Sequence, residues 1–281
     1  MTARELLAGG YRTLVLAEVD TPYLDSVVLL AHAMGATKEK LFTALPDQVP
    51  DDVQAGFNAL LEKRSSGMPV SYLRGKKEFF GIEFLVDERV LVPRPDTEIL
   101  VERSLKLCRS DPGLKAVHDA CTGSGCVGIS LKLMAPELEV SASDVSADAA
   151  EVFRMNAERL LGEPVPFHLS DLLVEVPGTF DLIVSNPPYL SDGEVEDLRK
   201  IGWPEPEVSL RGGRDGTDIA RRLIESAPMK LRSGGWLALE AAPPQFGALS
   251  ACMEKSGFRS IGVDRDLAGR DRVISGMIAH G

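Results

Sequence analysis

A mostly parallel, doubly wound α/β sheet preceded by a small helical bundle is the fold this sequence predicts, and three observations predict it. Apolar residues recur at three- and four-residue spacing from Ala3 to Arg64. The period changes near Glu78 to that of strands. From there on, strand patterns and helix patterns alternate, which is the signature of crossover connections in a parallel sheet. At 281 residues the chain has room for one large and one small domain. The reading is a helical domain over residues 1–75, a β-hairpin linker over 76–92 and an α/β domain over 93–281.

The elements follow in order. Helices are expected over Ala3–Glu18, Tyr23–Met34 and Val53–Arg64, separated by Asp20-Thr21-Pro22, by Met34-Gly35 and by the proline- and aspartate-rich stretch from Leu45 to Asp52. Thr21-Pro22 suits the start of the second helix, and Asp51 or Asp52 is expected to cap the third. Phe79 to Asp87 is rich in strand formers around Gly81, which predicts a hairpin. A helix should open with Asp96, Thr97 and Glu98 in its acidic first turn. Seven strands are then expected: Ala116–Ala120, Glu139–Ser143, Val165–Leu169, Phe180–Ser185, Gly235–Glu240, Arg259–Asp264 and Arg272–Met277. Helices fall between most of them, including Ala147–Leu161, Ile219–Leu231 and Pro244–Lys255. Leu267 to Asp271 is too short for a crossover helix, so the last two strands should pair antiparallel and make the sheet mixed.

Composition narrows the function classes. With 44% hydrophobic and 26% charged residues and no run of ~20 apolar residues, the chain reads as soluble and cytoplasmic, with no membrane span. The N-terminus shows no secretory pattern. Four cysteines, Cys108, Cys121, Cys126 and Cys252, form neither a disulfide framework nor a metal-ligand spacing, so no metal is expected. A net charge of −11 weighs against direct nucleic-acid binding, a local basic patch aside. His32, His118 and His168 are scattered and read as structural.

Two motifs carry chemistry. Asp119 to Gly128, with the sequence DACTGSGCVG, follows a strand and opens a helix. Glycines let a ligand approach the backbone there, and the helix N-terminus offers unpaired N–H groups. Asp144 ends the next strand, placed to hold ribose hydroxyls. Taken alone, this suits NAD or S-adenosylmethionine equally. Asp119, at the strand end, favours a cationic ligand over a pyrophosphate. The second motif, Asn186-Pro187-Pro188-Tyr189 after the fourth strand, has no part in hydride transfer. It suits methylation of a flat NH₂ group. The Asn186 side-chain carbonyl and the Pro187 backbone carbonyl accept from the nitrogen, the prolines fix φ, and Tyr189 offers a planar face. Asp171, ending the third strand, is placed to reach an adenine amino group, while Glu240 either lines the substrate pocket or is structural.

With these residues in place, the chain resembles the peptide chain release factor glutamine methyltransferases of the HemK/PrmC type. The likeness runs nearly end to end. It includes Pro69–Gly75, Glu78–Gly81, the segment Val92-Pro93-Arg94-Pro95-Asp96-Thr97-Glu98, Asn186–Tyr189, Glu205-Pro206, Gly212–Gly216 and Asp266–Arg272. The tetrapeptide alone is shared with DNA adenine methyltransferases, whereas the Pro-Arg-Pro-Asp-Thr-Glu segment discriminates. The related ribosomal-protein glutamine methyltransferases differ there and are the alternative, ahead of a DNA adenine N6-methyltransferase.

The resemblance implies a class I S-adenosylmethionine-dependent methyltransferase with a Rossmann-like, mixed seven-stranded sheet. It would methylate the N5 amide of the glutamine in a Gly-Gly-Gln loop of release factors. It implies that Cys121, Thr122, Gly123, Ser124, Gly125, Asp144, Leu172 and Asn186 contact S-adenosylmethionine, that Asn186, Pro187, Pro188 and Tyr189 hold the glutamine, and that the N-terminal helices help dock the factor. Two positions depart from the family pattern: Cys121 stands where glycine is usual, and Leu172 where an aromatic is common.

Overall fold

The computed structural model describes residues 1–279. The chain divides into two compact units, the first made of Met1–Lys76 with Ile201–Pro204, and the second of Lys77–Lys200 with the chain from Glu205 onward.

The first unit is helical: α1 (Ala3–Leu16), α2 (Pro22–Ala33), α3 (Lys38–Thr43), α4 (Asp51–Ser65) and α5 (Val70–Arg74). A reciprocal cap opens α1, the Glu5 N–H donating to Thr2 Oγ1 at 3.3 Å and the Thr2 N–H to Glu5 Oε2 at 2.8 Å. Pro22 opens α2, but the Thr21 hydroxyl donates to Asp25 Oδ1 at 2.8 Å instead of capping the backbone. Asp25 also takes Arg64 Nε of α4 at 2.7 Å. The expected aspartate cap of α4 is corrected: Pro50 holds the cap position, and Asp51 and Asp52 lie inside the first turn, where their charge suits the helix dipole. The two shortest helices were not foreseen, since five or six residues give too little periodicity to read. Leu14, Leu29, Leu30, Leu41 and Phe57 form the core of this unit.

Apart from its first residue, the hairpin of β1 (Lys76–Phe79) and β2 (Ile82–Leu85) belongs to the second unit. Phe80 and Gly81 both have positive φ, the tight two-residue turn that matches strand twist. There follow α6 (Glu98–Ser110), β3 (Ala116–Ala120), α7 (Cys126–Met134), β4 (Glu139–Asp144), α8 (Ala147–Leu161), β5 (Phe167–Leu169), β6 (Phe180–Ser185) and α9 (Asp192–Lys200). The chain closes with α10 (Asp218–Ser226), β7 (Leu231–Glu240), α11 (Phe246–Lys255), β8 (Phe258–Arg265) and β9 (Asp271–Ile278).

The seven-stranded sheet runs in the order β5-β4-β3-β6-β7-β9-β8, with β9 antiparallel to both neighbours and the other pairings parallel. It is the mixed doubly wound sheet the alternation predicts. Three boundaries moved for local reasons. Pro166 cannot donate to a ladder, so β5 starts at Phe167 rather than Val165. Pro228 ends the expected helix Ile219–Leu231 early; α10 stops at Ser226, a 3₁₀ turn follows, and Leu231 already belongs to β7. Another 3₁₀ turn over Pro243–Gln245 delays α11 to Phe246. Two apolar cores cover the sheet, one around Leu100, Ile129, Phe153 and Leu182, the other around Ile183, Leu223, Leu237, Leu249 and Phe258. His118 is structural: buried, stacked on Phe180 and flanked by Ser141 Oγ and Ser143 Oγ at 2.9 Å each, with burial pushing its pKa down to about 3. Among the described residues, no helix is long and apolar enough to cross a membrane.

Candidate active site

Strand register builds the site. Ala120 of β3 pairs with Ser143 of β4 and Ser185 of β6, and Ser185 pairs with Leu239 of β7. The next residue of each strand therefore arrives at the same carboxyl edge: Cys121, Asp144, Asn186 and Glu240. Doubly wound sheets bind ligands at that edge. A cavity of about 240 Å³ opens there, lined by Cys121, Gly123, Asp144, Leu172, Asn186 and Pro188 among others. It is far larger than the roughly 30 Å³ share of one water.

The glycine loop is tied down from beneath. Asp119 is buried, and its Oδ2 accepts from Thr122 Oγ1 at 2.6 Å and from the Gly128 N–H at 2.9 Å. Burial pushes its pKa up to about 7. The expectation that Asp119 faces a cationic ligand is thus corrected, because both contacts point into the loop and the start of α7. Thr122 and Ser124 are buried too, and Asn156 of α8 donates to the Ser124 carbonyl at 2.9 Å. Gly125 caps α7 at φ +84°, where a Cβ would lie 2.7 Å from Ile129 Cδ1 and from Phe153 Cδ2. Of the five loop residues singled out by sequence, Cys121 and Gly123 line the cavity, while Thr122, Ser124 and Gly125 shape the turn. Cys121 occupies the left-handed region at φ +55°, a conformation that costs a side chain about 1–2 kcal/mol. Burial pushes its thiol pKa up.

Asp144 lines the cavity with both oxygens anchored: Oδ2 accepts from the Gly123 N–H at 2.9 Å and Oδ1 from the Ser146 N–H at 3.0 Å. Burial raises its pKa and these N–H groups oppose the rise. Each oxygen keeps a lone pair, which fits a ribose diol. Leu172 also lines the cavity, at φ +53°, and its carbonyl accepts from Ser143 Oγ at 3.2 Å. Asp171 sits at the same cavity and is paired with Arg222 Nη2 at 2.6 Å.

The tetrapeptide continues from β6. Asn186 Nδ2 donates to Thr97 Oγ1 at 3.0 Å, while Asn186 Oδ1 is buried with no hydrogen-bond partner. A buried acceptor in that state costs about 1–3 kcal/mol, which a ligand N–H would recover. Pro188 lines the cavity, whereas Pro187 is buried and Tyr189 turns its hydroxyl to Glu240 Oε1 at 3.3 Å. Burial raises the Tyr189 pKa. Glu240 itself is buried, its pKa pushed up to about 7 by that burial, with its second oxygen unpaired.

The segments that carry the resemblance prove to be braces for this edge. The Gly212 N–H donates to the Leu190 carbonyl at 2.7 Å, and Gln245 Nε2 donates to the Tyr189 carbonyl at 2.8 Å. A Cβ on Gly212 would fall 2.6–2.8 Å from the Gly216 carbonyl oxygen, the Pro188 carbonyl oxygen and Tyr189 Cα, so only glycine fits. The buried Glu205 carboxylate accepts from the Val92 N–H at 2.9 Å and pairs with Arg94. Asp96 pairs with Arg272 of β9 at 2.8 Å, and Arg272 also reaches Asp266 at 3.1 Å. Glu98 Oε1 accepts from the Phe80 N–H at 2.8 Å.

Sequence reasoning gave no site role to Thr97, nor to Pro206, Val208, Ser209 and Arg211, which form one wall of the cavity. The signal was present in Glu205-Pro206 and Gly212–Gly216, segments matched to a family but assigned no task.

Both parts of the chain have counterparts among known proteins. Residues 5–75 match the family model described as PrmC N-terminal domain, and residues 97–200 the methyltransferase small domain. The chain is 38% identical over 265 residues to a release factor glutamine methyltransferase of Rhodopirellula baltica, covering 91% of this chain and 89% of that one. A protein of the same name from Deinococcus radiodurans is 34% identical over 281 residues, covering 100% of both. Among solved structures, the T. thermophilus 16S rRNA N2 G1207 methyltransferase in complex with AdoMet and guanosine superposes with a TM-score of 0.53 at 20% identity. That superposition covers 72% of this chain and 49% of the other, and shows a shared fold.

Proposed function

The chain belongs to the release factor glutamine methyltransferases, and on that premise we propose how its site performs the transfer. The enzyme methylates the side-chain amide nitrogen of a release-factor glutamine. S-adenosylmethionine, when bound, supplies an electrophilic methyl carbon on a sulfonium. Asp144 holds the ribose hydroxyls, Gly123 lets the ligand approach the backbone, and Leu172 with Asp171 borders the adenine. Asn186 Oδ1 accepts from the substrate NH₂ beside the Pro187 carbonyl, drawing the nitrogen lone pair out of amide conjugation and aiming it. Catalysis of this kind is placement and electrostatics, with no side-chain nucleophile.

One observation carries the reading: a buried, unpartnered carboxamide oxygen at the cavity, immediately after β6. Asn186→Ala should lower turnover at least ~100-fold, the usual loss for one transition-state hydrogen-bond partner, and leave cofactor affinity near normal.

The acceptor we assign is the glutamine of a Gly-Gly-Gln loop in an intact release factor. The site reads only a planar NH₂ group, so selection among glutamines rests on remote contacts whose binding energy positions the amide. The helical unit supplies a suitable surface: Tyr11, Val15, Tyr23 and Leu24 are exposed, with the Tyr11 and Tyr23 rings edge to face at 6.2 Å. The test compares methyl transfer to a release factor, its Gln→Asn variant, a Gly-Gly-Gln peptide and duplex DNA. Transfer to the whole factor alone is expected; DNA methylation, or equal rates on peptide and factor, would overturn the assignment.

A further inference from the structure

The hairpin of β1 and β2 is a sheet of its own, so among the described residues no ladder joins it to the seven-stranded sheet. Its backbone is held instead by side chains of α6 and α8. Glu98 accepts from the Phe80 N–H, Arg159 donates to the Glu83 carbonyl, and Asn156 takes both backbone groups of Leu85. Past the hairpin the linker continues through Arg89, Val90 and Leu91, which line the cavity. What fixes the hairpin therefore also places one wall of the site.

We propose that Asn156 is a positioning residue for the cofactor, a single side chain that ties the glycine loop and the linker together as two walls of one cavity; this rests on the reading of that cavity as the S-adenosylmethionine site. Asn156 is fully buried, and both ends of its carboxamide are used. Its Oδ1 accepts from the Leu85 N–H at 2.7 Å. Its Nδ2 donates to the Leu85 carbonyl and to the Ser124 carbonyl, at 2.9 Å each. Two amide protons thus meet two carbonyls, and one N–H meets the amide oxygen. A half-turn of the carboxamide would set its oxygen against both carbonyls and its NH₂ against an N–H, so one orientation is selected. Ser124 directly follows Gly123, which lines the cavity, and Arg89 lines it four residues past Leu85.

Helix α8 fastens the linker at a second point, where Glu151 pairs with Arg89 at 2.7 Å. The two fastenings are unequal. Glu151 is 64% exposed, so water and salt screen that pair. The three bonds of Asn156 are buried, and a buried N–H or carbonyl stripped of its partner bears its full desolvation cost. Asp119 and Asp144 also grip the loop, at Thr122 and Gly128 and at Gly123, but they hang from β3 and β4. Asn156 is what carries the loop's position across to the linker. A ligand seated between the two walls then stabilises the hold on Leu85, and by linkage that hold favours the ligand equally.

The experiment measures the Kd of S-adenosylhomocysteine by calorimetry, kcat at saturating S-adenosylmethionine and thermal stability, for the full chain and two variants of α8. Asn156→Asp keeps the acceptor for the Leu85 N–H but turns a second oxygen on the two carbonyls. Its Kd should rise about tenfold or more while kcat stays within about threefold, since Asn186 hangs from β6. Leu160→Ala trims an apolar side chain packed on the core from the same helix, and should lower stability with Kd unchanged. An unchanged Kd in Asn156→Asp, or an equal rise in Leu160→Ala, overturns the proposal. If Asn156→Asp does not fold, hydrogen exchange on the unaltered protein decides. Leu85 lies outside the cavity lining, yet its amide should exchange roughly tenfold or more slowly with S-adenosylhomocysteine at about 100 times Kd. No slowing there refutes the coupling. Failure of S-adenosylhomocysteine to bind the unaltered protein refutes the cofactor reading itself, whereas binding weakened by Asp144→Ala and untouched by Asn156→Asp refutes only the role of Asn156.

Discussion

Gly212→Ala is a demanding test of how tightly the catalytic edge is held. The residue lies more than twenty positions beyond Asn186 and has no functional group. Its φ lies outside the left-handed region, so alanine meets no backbone penalty there, only a lack of space. The new Cβ would sit 2.6 Å from the Gly216 carbonyl oxygen, 2.7 Å from the Pro188 carbonyl oxygen and 2.8 Å from Tyr189 Cα. Ordinary contact begins at 3.4 Å, so these atoms must retreat by about 0.6–0.8 Å. All three are backbone, and Gln245 and Gly212 itself pin the same stretch by hydrogen bonds, so none can rotate away. Overpacking of this kind costs about 1–3 kcal/mol of stability. Misplacing a reacting group by about 1 Å can cost around 100-fold in rate. The expected outcome is a kcat lowered about 10- to 100-fold. Affinity for S-adenosylhomocysteine should stay within about twofold, because Asp144 and Gly123 hang from other strands. Methyl transfer to a release factor at saturating cofactor reads the first quantity, and calorimetric titration reads the second. Turnover within about threefold of wild type would show that the tetrapeptide tolerates displacement, and the bracing argument would be wrong.

Three further outcomes are expected. Asp144→Ala should weaken S-adenosylhomocysteine binding by about 1.5–3 kcal/mol, the range for hydrogen bonds to a charged group; an unchanged calorimetric affinity in a folded variant would remove Asp144 from the site. Tyr189→Phe keeps the ring and loses only the hydroxyl, so its kcat should fall far less than that of Asn186→Ala, within about tenfold; a loss as large as that of Asn186→Ala would mean the hydroxyl does more than bind Glu240. Cys121→Gly relieves a side chain held at φ +55° and adds unfolded-chain entropy of about 0.5–1 kcal/mol. Its midpoint of thermal unfolding should therefore be equal to or above wild type, and a marked drop would show that the thiol's packing outweighs the strain.

Much of this molecule was legible in its sequence, and the physical reason is locality. Alternating periods gave the sheet, and the short Leu267–Asp271 link gave its antiparallel end. A glycine loop after one strand, Asp144 after the next and Asn186 after the fourth gave the edge where they meet. What the sequence could not give was pairing at a distance. Glu98 with Phe80, Glu205 with Val92, Asp96 with Arg272 and Thr97 with Asn186 are separated by 18 to 176 positions. Asp96, Thr97 and Glu98 read only as the first turn of a helix, with no distant partner for any of them. Asp119 misled for a related reason, since an acid at a strand end says nothing of whether it faces out to a ligand or back into its own loop.

The place of β9 in the sheet bears on how the protein is made. It follows β8 in sequence, yet it lies between β7 and β8 and carries Arg272, the partner of Asp96. A nascent polypeptide emerges N-terminus first, at about 5–20 residues per second. Until Asp271–Ile278 emerges, β7 has a bare edge and the segment before α6 lacks its guanidinium clamp. An unpaired edge strand of this length invites pairing with other chains. A chain stalled before Asp271 therefore exposes the edge of β7, and the Asp96 clamp closes only once β9 has been made.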